Sequence, residues 1–200
     1  MAGLNELGLA LEPVQIERLL AFVVLIEKWN KAYNLTAVRN RQDMVSLHVL
    51  DSLAILPQLQ GSRIIDIGTG AGLPGIPLAI CCPDWEFVLL DANSKKTRFV
   101  QQAVLELKLK NVQVVHQRVE LFQPEQRFNT VISRAFAAMP EILRLCRHLL
   151  TDSGWLLAMK GMVPHEELVQ LVRQHEVIPV KVPGIDADRC LVRLQGNIHG

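Results

Sequence analysis

Asp66-Ile67-Gly68-Thr69-Gly70-Ala71-Gly72-Leu73-Pro74-Gly75 is the stretch that decides the fold class of this 200-residue chain. An apolar run at 64–67 enters closely spaced glycines, which permit a tight turn and let a ligand approach the backbone where side chains would block it. The spacing is GxGxG rather than the dinucleotide GxGxxG, and no Lys-Ser or Lys-Thr follows to hold phosphate and magnesium. A P-loop is therefore a poor reading. A nucleotide-like cofactor is the chemical reading, beside the plainer one of a strand-to-helix turn.

Outward from that loop, short apolar runs alternate with longer mixed segments. Residues 64–67, 87–90, 112–115, 131–133 and 155–159 are candidate buried parallel strands, and the segments between them are long enough for crossover helices. Residues 177–182 and 190–194 flank a turn-rich connection and are expected to pair antiparallel at the edge. Toward the N-terminus, Ile16, Leu19, Leu20, Val23, Ile26 and Trp29 recur at helical spacing, with Glu17, Arg18, Glu27 and Lys28 on the other face. A second helix is expected over 41–56, stopping near Pro57. The pattern predicts an α/β protein: a helical extension over 1–60 packed on a Rossmann-like core over 61–200, whose mostly parallel sheet of about seven strands has an antiparallel edge.

Composition narrows the class further. Half of the chain is hydrophobic and a fifth charged, with 21 Lys and Arg against 20 Asp and Glu, which argues against disorder and against a polybasic tail. The longest uncharged stretch, 67–83, has 17 residues with four glycines and three prolines, too short and broken for a membrane span. Glu6 and Glu12 stand where a secretory leader would be basic, so a cytoplasmic protein is expected. Cys81 and Cys82 are adjacent while Cys146 and Cys190 stand alone, and the histidines lack ligand spacing. Reduced, structural cysteines and no metal are expected.

The polar residues near the strand ends carry the chemistry. Asp91 follows Gly68 by 23 residues and ends the second apolar run, where a carboxylate accepts from both ribose hydroxyls of an adenosine. Asp66 orients the loop or meets an ammonium group through water. Together they favour S-adenosylmethionine, whose amino-acid tail needs no pyrophosphate site; a nicotinamide or flavin is the competing cofactor. Glu120, after the third run, reads either as an adenine-side group or as a helix N-terminal charge. Arg134 ends the fourth run and offers a guanidinium fork to guanine O6 or a phosphate, or else pairs with a structural carboxylate. Phe136 stacks on a base or joins the core. Lys95, Lys96, Arg98, Lys108, Lys110 and Arg118, opposed only by Glu106, read as a phosphate tracker or as a solvated helix face, and Lys160 extends that edge. His48 and Asp51 are helical neighbours, which suggests acid–base work. A serine hydrolase is disfavoured because no GxSxG elbow exists.

The chain resembles the bacterial RsmG methyltransferases, also called glucose-inhibited division protein B. The likeness runs through Asn34-Leu35-Thr36, His48-x-x-Asp51-Ser52-Leu53, the stretch 66–77, Leu90-Asp91 with Lys95-Lys96-x-Arg98-Phe99, Arg118-Val119-Glu120, Ser133-Arg134-Ala135-Phe136-Ala137 and Lys160-Gly161. The glycine motif is generic to methyltransferases; its combination with the Ser-Arg-Ala segment and the His-x-x-Asp-Ser-Leu helix is specific. The resemblance implies a class I methyltransferase fold, S-adenosylmethionine as donor, and N7 of a guanine in the 530 region of 16S ribosomal RNA, free or in the small-subunit particle, as acceptor. It implies Gly68, Leu73, Val119, Glu120 and Arg134 as cofactor-site residues, to which the loop reading adds Asp66, Gly70, Gly72 and Asp91. His48, Asp51, Lys95, Lys96, Arg98, Arg118, Phe136 and Lys160 are the expected RNA-side residues, on a monomer that needs no membrane. Many relatives have Ser and Gly where this chain has Ala92 and Gln117. Guanine N7 carries an in-plane lone pair, so no general base is assigned, and Arg134 is expected to position the reactants.

Overall fold

A computed structural model describes residues 2–171 and 173–196; positions 172 and 197–200 of the expected core lie outside the described residues. Seven strands form one sheet: β1 (Arg63–Ile67), β2 (Glu86–Asp91), β3 (Val112–His116), β4 (Phe128–Arg134), β5 (Leu150–Lys160), β6 (His175–Pro179) and β7 (Cys190–Gln195). Their order is β3-β2-β1-β4-β5-β7-β6. The first five run parallel, while β7 lies antiparallel to β5 and β6. The expected edge pair is present, with its first strand starting earlier and ending at Pro179, whose missing N–H is tolerated at a sheet edge.

Eight α-helices accompany the sheet among the described residues: α1 (Ala2–Glu6), α2 (Pro13–Tyr33), α3 (Arg41–Met44), α4 (Asp51–Leu53), α5 (Gly75–Cys81), α6 (Ser94–Glu106), α7 (Met139–Cys146) and α8 (His165–Val169). The strands read as unbroken apolar runs because both sheet faces are covered. Ile64, Leu89, Ile132 and Leu157 join one core with Phe22, Ile26 and Phe99. Their neighbours Ile65, Leu90, Val131 and Ala158 turn to the other face, with Ile142 and Cys146. That alternation is the two-residue period of a strand.

Helix α2 starts on Pro13, with Glu12 and Gln15 capping each other's backbone, and ends at Asn34, which takes the left-handed conformation (φ 49°). It buries Leu19, Phe22, Val23, Leu25 and Ile26. Leu20, expected on that stripe, is 54% exposed; with Val23 and Ile26 inward, the helical turn of about 100° per residue carries position 20 to the solvent side.

The helix expected over 41–56 runs without a gap through Leu53, but its middle is wound differently. A π-helical segment, Val45–Leu50, separates α3 from α4, and a 3-10 turn at Leu56–Gln58 contains Pro57. Tertiary bonds override local propensity here. The wider turn sets His48 inward against Thr36 (His48 Nε2 to Thr36 Oγ1, 3.0 Å) and brings Asp51 under the sheet's rim.

The basic stretch does not form one surface. Helix α6 runs back across the sheet, so Lys95 and Lys96 stand at its start beside the end of β2, and Lys108 and Lys110 beside the start of β3. The helix spans about 20 Å at 1.5 Å per residue, which separates the two groups by the width of the domain.

Candidate active site

The loop after β1 is built from inside by Asp66. Its Oδ2 accepts from the Thr69 hydroxyl (2.7 Å) and the Gly75 N–H (2.9 Å), while Oδ1 has no partner among the described residues. Burial pushes the carboxyl up to about 7, against those two donors. Asp66 therefore orients the loop. Gly68 has φ +67°, and a Cβ there would stand 2.3 Å from the Phe136 ring. Gly70 and Gly72 also have positive φ, and Leu73 is buried beneath the turn.

Beyond the carboxyl ends of β1, β2 and β3 lies a cleft of about 520 Å³. Gly68, Asp91, Val119 and Glu120 line it, together with Lys96, Arg118 and Phe136. Asp91 is positioned by two backbone groups, Gly70 N–H on Oδ2 (2.9 Å) and Asn93 N–H on Oδ1 (2.8 Å). Each carboxylate oxygen keeps a second lone pair. Asn93 then caps α6, its Oδ1 accepting from Lys95 N (3.0 Å) and Lys96 N (3.3 Å). Glu120 sits at the exposed rim, where its own backbone N–H and then Arg118 (3.1 Å) hold the carboxyl below its usual value.

This donor set fits S-adenosylmethionine. Spare lone pairs on Asp91 suit two ribose hydroxyls, the Cβ-free backbone at Gly68 admits close approach, and the cleft has the volume of a small-molecule site. Among the described residues no cluster of His, Cys, Asp and Glu could hold a metal. Burial pushes Cys81 and Cys146 up to about 12, which leaves them inert as nucleophiles.

Arg134 does not project freely from the end of β4. Its Nη1 donates to Asp51 Oδ2 (2.9 Å) and to the Leu47 carbonyl (3.3 Å), the carboxylate alternative of the sequence reading. Asp51 Oδ1 accepts from Arg189 Nε (3.0 Å), so one buried carboxylate holds two guanidinia. His48 is bonded to Thr36 rather than to Asp51, and burial lowers its pKa, which leaves it a neutral structural group. Lys160 is spent on Glu167 (2.8 Å) and the Ala137 carbonyl (3.1 Å), bracing the loop after β4. Phe136 lies on the glycine loop, at the mouth of the cleft. Lys95 and Arg98 are exposed beside it.

Several site residues escaped the sequence reading. Thr69 and Asn93 carried recognisable turn and capping chemistry. Glu141 and Arg144, paired with each other (2.7 Å), line the far wall of the cleft from α7, and only their helical spacing hinted at the pair. Arg189 gave no signal, since its partner Asp51 is 138 positions away.

A family model described as GidB, rRNA small subunit methyltransferase G, matches residues 15–190. The ribosomal RNA small subunit methyltransferase G of Laribacter hongkongensis is 56% identical over 96% of this chain and 95% of its own length. That of Chromobacterium violaceum is 52% identical over 96% and 94%. Among solved structures, a SAM-dependent methyltransferase from Aquifex aeolicus superposes with TM-score 0.58 at 17% identity, over 76% of this chain and 93% of that one. The magnesium protoporphyrin IX methyltransferase of Synechocystis, solved with bound SAM, gives 0.57 at 19% over 93% and 98%. These two likenesses concern the fold alone.

Proposed function

The chain belongs to the rRNA small subunit methyltransferase G family, and from that premise we propose that it transfers a methyl group from S-adenosylmethionine to N7 of a guanine in the 530 region of 16S ribosomal RNA. The observation that carries the cofactor half of this reading is the Asp91–Gly70 bond, which locks the acidic end of β2 to the glycine loop across one cleft. We read residues 1–60 as a helical extension and 61–200 as the catalytic core of a monomeric, cytoplasmic enzyme.

S-adenosylmethionine supplies an electrophilic methyl group on a sulfonium. Asp91 would take the ribose hydroxyls, Val119 and Glu120 would flank the adenine, and the backbone at Gly68 would hold the amino-acid end. The acceptor nitrogen needs no deprotonation, so the chain's task is alignment and exclusion of water. Arg134, pinned by Asp51 and the Leu47 carbonyl, positions the junction between cofactor and base. Lys95, Lys96, Arg98 and Arg118 face RNA phosphate at the same rim.

The test is methyl transfer from radiolabelled S-adenosylmethionine into small-subunit particles and deproteinised 16S RNA, with the product mapped by nuclease digestion and mass spectrometry. The expected product is one N7-methylguanine in the 530 region. Cofactor binding without incorporation into either substrate refutes the reading.

A further inference from the structure

A second cavity, about 340 Å³, opens on the other side of β4, where Asp51, Ile55, Arg134, Met159, Gly161 and Arg189 are among its walls. It lies at the carboxyl ends of β4 and β5 and the start of β7, while the cofactor cleft lies over β1 to β3. Ala135 lines both. Methyl transfer demands an acceptor within about 3–3.5 Å of the donor carbon, so a base seated here would meet the cofactor over the exposed Ala135 edge that the two cavities share.

Its chemistry is that of a flat base. Ile55 and Met159, both buried, back it with apolar side chains, and its polar groups include two guanidinia held on the two oxygens of Asp51. We infer that this cavity receives the acceptor guanine as an unstacked base, and that Arg189 is a specificity-determining residue that donates to its O6. The inference rests on the rRNA guanine methyltransferase reading and deepens it.

Guanine N7 and O6 lie on the same edge and both accept. With N7 turned across Ala135 toward the cofactor, O6 falls on the guanidinium side. Arg189 engages only Nε, with Asp51, and Nη1, with the Asp188 carbonyl, among the described residues, so donors remain. Adenine would present an amino group to those donors. In the transfer the N7 lone pair forms the N–C bond, the C–S bond breaks with its electrons on sulfur, and no proton moves. Positive charge thereby passes from sulfonium to purine. A cavity on the protein surface is reached only by a base out of its stack.

Gly161 supplies a clean probe, because a Cβ there meets no atom within 4 Å and the residue lines the cavity. Gly161→Trp and Arg189→Ala are compared with the wild-type enzyme on particles carrying guanine or 2-aminopurine, which has N7 but no O6, at the acceptor position. The expected results begin with a rise in 2-aminopurine fluorescence on binding the wild-type enzyme, absent with Gly161→Trp. Gly161→Trp loses about 100-fold in kcat/KM with cofactor Kd unchanged. Arg189→Ala loses about 10- to 100-fold on guanine and little on 2-aminopurine. Wild-type turnover with an unaffected Gly161→Trp, or an Arg189→Ala loss equal on both bases, overturns the inference while leaving the function standing. A wild-type enzyme that methylates neither RNA form refutes the parent reading and this one together.

Discussion

Substituting Gly68 tests the cofactor loop at its tightest point. Two independent penalties fall on Gly68→Ala. A left-handed backbone (φ +67°) costs an L-residue about 1–2 kcal/mol, and the new Cβ would lie 2.3 Å from Phe136 Cδ2, an overlap the ring must relieve by moving. Overpacking in a closed core costs about 1–3 kcal/mol; Phe136 is 36% exposed and can swing away, so the low end, about 1 kcal/mol, applies. The single variant should lose about 2–3 kcal/mol in urea unfolding, and its cofactor affinity should fall because the displaced ring sits at the cleft mouth. Phe136→Ala removes the clash and leaves the backbone strain. The double variant should therefore be about 1 kcal/mol more stable than the sum of the singles predicts. Strict additivity of the two substitutions would refute the claim that the Phe136 contact demands glycine.

Three further outcomes follow from the same geometry. Asp66 has its pKa raised by burial from 3.8 to about 7, so the stability it contributes is present in full below pH 4 and is lost as pH rises through about 7. Asp66→Asn should stop titrating, and its stability relative to wild type should rise with pH across that window in thermal melts; parallel curves would contradict the burial argument. Asp51→Ala leaves two guanidinia without their carboxylate; because both side chains are about a quarter exposed (22% and 25%), the loss should be about 2–3 kcal/mol rather than the 3–5 of a dry site. A shift in Tm under about 2 °C would show that the cluster is not holding the extension. Neutralising Lys95 and Lys96 should flatten the salt dependence of RNA binding by about 0.7 per lost phosphate contact, whereas neutralising Lys108 and Lys110 should not; equal effects would put RNA on both ends of the sheet.

Much of the fold was legible because parallel strands covered on both faces carry their signal as unbroken apolar runs, and five of those runs were found with errors at their ends. Where the reading failed, a distant contact had overruled a local rule. The 41–56 segment has helical periodicity throughout, yet its middle is wound as a π-helix where His48 reaches Thr36, and just beyond it Asp51 reaches two arginines. Spacing made His48 and Asp51 look like a working pair; the widened turn sends them to different partners. The run of cations from Lys95 to Arg118 was continuous in sequence and divided in space, since a crossover helix carries its middle, Lys108 and Lys110, to the opposite end of the strands, while Lys96 and Arg118 return to one cleft. Asp91 and the glycine loop were readable because both lie at strand ends in a fixed topology. Arg189 was not, because its role depends on a closure of the chain that no local pattern encodes.

The segment after β4 shows how one short stretch divides the rim into two chambers. Ala135 adopts φ +50°, a left-handed conformation that costs an alanine about 1–2 kcal/mol. That reversal lets side chains two positions apart serve different cavities: Arg134 turns to Asp51 and the second cavity, Phe136 onto Gly68 and the cofactor cleft, with Ala135 on the edge common to both. An extended residue at 135 would leave the chain running on in the direction of β4, away from this arrangement. The strain is held by bonds on both flanks, Arg134 by Asp51 and Leu47, and Ala137 by Lys160, which Glu167 in turn fixes while accepting from Met139 N. Strain that persists only because its surroundings over-determine it belongs where geometry matters to the chemistry. Here it fixes the edge at which the two cavities meet.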